Sequence, residues 1–185
     1  MKQYIKQTEN GIEIFHNPLK AGNGDTIYNP PHERLLAEGW MVYTPTLEEA
    51  RTEKLIELEA AFNTASQKAH CASSAGFEID ADEIANRNIE GLVLVMQPEK
   101  TTLFRAYDNT FHEVTREQLE TMRKEIVVNS QYLYQAKWTM EARIKAAETT
   151  EALKIIVVTP GTLEELANSF MNTAAGHTKA SIVNG

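Results

Sequence analysis

The stretch TREQLETMRKEIVVNSQYLYQAKWTMEARIKAA, Thr115–Ala147, decides the fold. Within it Leu119, Met122, Ile126, Asn129, Leu133, Ala136, Met140, Ile144 and Ala147 recur at steps of 3, 4, 3, 4, 3, 4, 4 and 3, a near-heptad seam along one helix face with one slip near its end. Thr115 with Gln118 fits a capping box, in which hydroxyl and amide side chains satisfy orphan backbone donors reciprocally. A helix over the whole stretch would reach about 50 Å, whereas a compact globule of this length is about 40 Å across. An elongated molecule is therefore expected. Asn129 at a seam position either fixes register and oligomer number or reaches solvent where the seam rotates. Tyr132, Tyr134 and Trp138 lie partly off the seam, so they face another element or another chain, with packing inside one chain the plainer reading.

Upstream, Thr46 with Glu49 marks the start of another helix, on which Leu55, Leu58, Phe62, Ala65, Ala69 and Ala72 form a stripe ending near Ser73-Ser74-Ala75-Gly76. Asp80 is the expected cap of a helix running to about Gln97, with Ile84, Ile89, Leu92, Val93 and Met96 as its apolar face and Pro98 as its stop. Between 101 and 114, two alternating runs flank Asp108-Asn109, residues that tolerate positive φ, and predict a β-hairpin. A short helix over about Thr150–Val157 follows. A last one is expected from Thr162, boxed with Glu165, to a stop at Gly176, leaving a small polar tail from His177.

Residues 1–45 have a different composition. They hold Pro18, Pro30, Pro31 and Pro45 of the six prolines, and Tyr4-Ile5-Lys6 with Ile12-Glu13-Ile14-Phe15 reads as short strands. Asn29 to Gly39 reads as one or two helical turns opened by Asn-Pro and ended by glycine. The fold class expected is mainly α with a β-hairpin (α+β): an elongated helical bundle with long heptad-patterned helices, plus a small N-terminal β/turn module. Its segments are 1–45, a helical domain over 46–157, and a C-terminal helix and tail over 158–185.

Eighteen Lys and Arg against 26 Asp and Glu give a net charge of −8, which argues against a protein that neutralises nucleic-acid phosphates. With 42% hydrophobic residues the chain can bury a core. The single cysteine, Cys71, excludes an intrachain disulfide framework and is expected to be a small buried side chain. The longest apolar run, Leu92–Met96, falls far short of the roughly 20 residues that span a bilayer. The first residues lack a secretory h-region, so synthesis in a cytoplasm is expected.

His70-Cys71 could suggest nucleophilic chemistry, but adjacent helical residues point apart and no orienting group accompanies them. The histidines at 16, 32, 70, 112 and 177 show no metal-ligand spacing, and Glu78, Asp80, Asp82 and Glu83 lack the EF-hand pattern. Gly22-Asn23-Gly24-Asp25 reads as a turn rather than a phosphate cradle. The expectation is no catalytic residue, no metal and no cofactor, with Leu119, Met122, Ile126, Asn129, Leu133 and Trp138 as interface candidates.

Gly76-Phe77-Glu78-Ile79-Asp80-Ala81-Asp82, the helix after it, Tyr107-Asp108-Asn109-Thr110-Phe111-His112-Glu113-Val114-Thr115 and the long helix ending in Ile144-Lys145-Ala146-Ala147 resemble, in that order, a domain family of unknown function seen in bacteriophage and prophage tail proteins. The resemblance covers about residues 47–157. The family's usual Trp near the start of the hairpin is replaced, with Phe104 or Tyr107 nearest, and the region after Pro160 is peculiar to this chain. It implies a virion structural protein, an accessory tail or tail-fibre attachment subunit, located in the tail after synthesis in the host cytoplasm. The partners implied are other tail proteins and further copies of itself in a symmetric assembly, with no nucleic acid and no membrane span. The alternative is a fibre-assembly chaperone absent from the mature particle. A small enzyme would need a polar pocket that no motif announces.

Overall fold

The structure, a computed structural model, describes residues 3–183 and divides into two units between Thr46 and Leu47. It is a mixed α+β fold of helices and small antiparallel sheets. In the first unit β1 (Tyr4–Thr8) and β2 (Gly11–Ile14) form a hairpin in which Ile5 lies opposite Ile14 and Thr8 opposite Gly11. Gly11 takes φ 120°, a conformation closed to L side chains, which is why the turn needs glycine there. A ribbon of β3 (Leu19–Lys20) and β4 (Thr26–Ile27) precedes α1 (His32–Ala37), and β5 (Met41–Val42) then pairs with β1 to complete the order β2-β1-β5. Phe15 is gripped edge-on by Tyr4 and Trp40, with ring centroids 6.5 and 5.4 Å away, while Leu19 and Leu35 are buried. The expected strands, turns and short helix of this module are all present.

The second unit opens with α2 (Leu47–Gln67), followed by a hairpin of β6 (His70–Ala72) and β7 (Glu78–Asp80). The stripe through Ala69 and Ala72 therefore does not continue as helix. Cys71 pairs with Ile79, the Ser73 amide donates to the Phe77 carbonyl at 2.9 Å, and Gly76 at φ 98° makes the turn that its sequence presents as a helix end. Three-residue strands leave too little alternation to be distinguished from a helix stripe. Asp80, expected as a cap, is the last residue of β7. The cap of α3 (Glu83–Val95) is Asp82, whose carboxylate accepts from the Ala85 amide at 2.7 Å. On α3 Ile89 and Val93 are buried, with Leu92 and Met96 packed beside them, while Ile84 faces out at 67% exposure.

β8 (Thr101–Arg105) and β9 (Phe111–Thr115) form the expected hairpin, with Thr101 opposite Thr115 and Arg105 opposite Phe111. Asn109 takes φ 68°, and Asp108 Oδ1 accepts from the Thr110 amide at 2.9 Å. Thr115 ends the strand and caps α4 (Arg116–Ala146) in the anticipated box: its hydroxyl accepts from the Gln118 amide at 3.2 Å and its own amide donates to Gln118 Oε1 at 2.9 Å. α4 has 31 residues and so is about 46 Å long.

The seam of α4 serves two cores in succession. Leu119, Met122 and Ile126 pack with Ile79, Ile89 and Val114; Leu133, Ala136, Met140 and Ile144 pack with residues of α2, α5 (Thr150–Ile155) and α6 (Pro160–Val183). Asn129 falls at the junction and is half-buried. The expected box of Thr162 with Glu165 is displaced, because Thr159 is the cap. Its hydroxyl accepts from the Thr162 amide at 3.1 Å, and its amide donates to Thr162 Oγ1 at 3.0 Å. Pro160 then fills the first helical position, where its missing N–H costs nothing. α6 continues past Gly176 to Val183, since glycine inside a helix costs about 1 kcal/mol without obliging it to stop. Val158, Leu163 and Ala167 share the core of α2 and α4. Among the described residues no helix is long and apolar enough to cross a membrane.

Candidate functional site

A cleft of about 290 Å³ opens between α2, β6, α4 and α6, lined in part by His70, Cys71, Glu78, Asn129 and Glu164. The β6–β7 register brings His70 Nδ1 to 3.6 Å from Glu78 Oε2, and the His70 ring stacks on Tyr107 at 4.2 Å. Cys71 is half-buried rather than fully buried. Burial, reinforced by the negative charges of Glu125 and Glu78, pushes its thiol up to about 11. A nucleophilic cysteine needs an electropositive setting that stabilises the thiolate, and this one has the reverse. The His70-Cys71 pair is thus poorly suited to attack at neutral pH.

The remaining titratable groups are dispersed. His32 Nδ1 shares a 2.8 Å hydrogen bond with the Tyr4 hydroxyl, and the His112 ring stacks on Phe77 at 4.0 Å. The side chain of His177 lies outside the described residues. Of the acidic group, Asp82 caps α3, Glu83 pairs with Arg87 at 2.5 Å and Glu78 sits beside His70. Among the described residues no three His, Cys, Asp or Glu side chains gather in a way that could hold a metal ion. Gly22 to Asp25 is a turn, closed by the Ala21 amide donating to the Asp25 carbonyl at 2.9 Å with Gly24 at φ 90°.

Of the interface candidates, Leu119, Met122, Ile126 and Leu133 are consumed by the chain's own cores, and Asn129 lines the cleft. Trp138 stands out at 53% exposure. Its ring lies 5.8 Å from Tyr134, which in turn lies 4.9 Å from the buried Phe62 on α2. Lys137 Nζ sits 4.5 Å over the Phe62 ring and 2.5 Å from Glu59, tying α4 to α2 beneath the ridge. An exposed aromatic pair is thereby held on a rigid base, which favours recognition because little side-chain freedom remains to be lost. Val127, 56% exposed, is not among the interface candidates that the sequence offers, yet it lies on the same helix face; its spacing of seven from Tyr134 is the signal that places it there.

One polar tie crosses from α4 to the β6–β7 turn. Glu125 Oε1 accepts from the Ser74 amide at 2.9 Å. Desolvation raises the Glu125 carboxyl, but hydrogen bonds from Ser74 and Ser73 together outweigh it and hold the group below the usual value.

No curated protein and no solved structure matches the chain. Residues 49–157, from α2 through the end of α5, match the model of a domain of unknown function, DUF4376, and the chain belongs to that family.

Proposed function

We propose that the chain is a structural subunit of a bacteriophage tail, an accessory or fibre-attachment piece that works through protein contacts. The observation that carries this reading is the Tyr134–Trp138 ridge, an exposed aromatic surface fixed to a packed helical base, the kind of feature that anchors protein interfaces. The tail assignment comes from the resemblance of residues 47–157. The raised thiol of Cys71 weighs against a cysteine enzyme in the cleft. Its partners in this reading are other tail proteins and further copies of the chain in a symmetric assembly.

Mass spectrometry of purified phage particles tests the proposal. The chain is expected in a fixed ratio to the tail proteins. Repeated absence from intact particles sinks the structural reading, and absence combined with loss of fibres on deletion of its gene points instead to an assembly chaperone.

A further inference from the structure

Behind its buried seam, α4 carries a second stripe: Glu120, Lys124, Val127, Gln131, Tyr134, Trp138, Glu141 and Lys145, at steps of 4, 3, 4, 3, 4, 3 and 4. All are exposed except Glu141, which is half-exposed. Such spacing is the seam of a coiled coil, and here it has an uncharged centre, apolar at Val127, Tyr134 and Trp138 and polar at Gln131, with charges beyond it on both sides. The order of those charges is informative. When two copies of the stripe run antiparallel about a twofold between Gln131 and Tyr134, Val127 meets Trp138 of the partner subunit and Gln131 meets Tyr134 of the partner subunit. Lys124 then meets Glu141 of the partner subunit, and Glu120 meets Lys145 of the partner subunit. Each charge layer joins opposite signs. A parallel pairing in register would instead set Lys124 against its own copy and Glu141 against its own copy, and like charges across a seam select against that arrangement.

We infer that this face of α4 is a homodimer interface in which two copies pair antiparallel through the Val127–Trp138 layers, with the flanking charges setting direction. Trp138 and Tyr134 supply apolar area at low entropic cost, since Tyr134 is already braced on Phe62. Glu141 and Lys145 pair within the helix at 2.5 Å, as do Arg116 and Glu120 at 3.2 Å, so each cross-subunit contact extends an ion pair into a network. The inference names a partner for the aromatic ridge and rests on reading that ridge as a contact surface. It does not depend on the tail assignment.

Sedimentation of the purified full chain over a range of concentrations tests it, with circular dichroism confirming that each variant keeps its helices. A reversible dimer is expected. Trp138→Ala should raise its Kd at least about tenfold, as truncation of a central aromatic anchor does. Lys124→Glu and Glu141→Lys should each weaken the dimer, because each sets like charges in two layers, and the double variant should recover affinity above either single one. A chain that stays monomeric throughout, a dimer indifferent to Trp138→Ala, an assembly larger than two, or a double variant no tighter than the single ones would overturn the antiparallel pairing. Absence from phage particles would sink the tail reading and leave this dimer standing, so the two can fail separately.

Discussion

Along α4, Leu119, Met122, Ile126, Leu133, Met140 and Ile144 repeat every few residues and are buried, while Lys124, Val127, Gln131, Tyr134, Trp138 and Glu141 repeat at the same spacing and remain at the surface. Spacing alone is common to both faces. What separates them is composition together with what the rest of the chain can cover. The buried face is apolar in two stretches separated by Asn129, and meets β7, β9 and α3 first, then α2, α5 and α6. The other face is uncharged at its centre, where Gln131 interrupts Val127, Tyr134 and Trp138, and charged toward its ends. A heptad pattern thus reports that a helix has a partner, and the identity of that partner has to be read from the elements that close over each face.

The largest expected effect breaks the buried face. Ile144→Ala, at a fully buried position, should cost about 2–5 kcal/mol in urea unfolding, and Ile126→Ala should cost a similar amount in the other core. A loss well under 1 kcal/mol at Ile144 would mean that this face is not the core. The next effect is at the helix start. Thr115→Ala removes the hydroxyl that accepts from Gln118 and leaves an orphan amide where strand turns into helix, with an expected cost of about 1 kcal/mol. It should lower stability without changing the dimer Kd.

The sequence made the buried seam legible almost residue for residue, because α4 is long and each turn repeats the same message. The β8–β9 hairpin was equally legible, since Asp108-Asn109 is a turn signal with a mechanism. The β6–β7 hairpin was not. His70 to Ala72 offers one inward residue per strand, and alanines at 69 and 72 suit a helix stripe and a short strand alike. The cap at Thr159 is obscured for a different reason: Thr162-x-x-Glu165 is a valid box by pattern, yet Thr159-Pro160 places a proline where a helix start tolerates it. The aromatic ridge was visible in Trp138 and Tyr134, but its brace, Phe62, comes from a helix some seventy residues earlier, and such long-range pairing leaves no local signal. Spacing leaves Asn129 open between a register-fixing seam position and one that reaches solvent; it is half-buried on the cleft wall, between two intrachain cores.

A smaller effect is expected from pH. Glu125 ties the buried side of α4 to the Ser73-Ser74 turn, and its folded carboxyl titrates below the reference value of 4.5. A group with a depressed folded pKa contributes stability that is present above its unfolded pKa and lost as pH falls through the lower, folded one. The chain should therefore lose this contribution on acidification below about pH 4.5. Glu125→Gln should show a flatter acid limb in pH-dependent unfolding. An identical acid limb in the variant would mean that the tie to Ser74 carries no charge-dependent stability.

The smallest effect on folding is expected at Trp138. Trp138 is large and aromatic, and if it belonged to the core its truncation would cost about 3–5 kcal/mol. Its ring instead lies on the outer face with more than half its surface open, so Trp138→Ala, measured at dilutions where the chain is monomeric, should change unfolding free energy by no more than about 0.5 kcal/mol. The same variant should show its full effect in sedimentation. Asn129→Leu provides the converse control: on the cleft wall and away from the outer stripe, it should leave the dimer Kd unchanged. If Trp138→Ala unfolds the monomer, or if Asn129→Leu shifts assembly, the assignment of faces on α4 has been made the wrong way round.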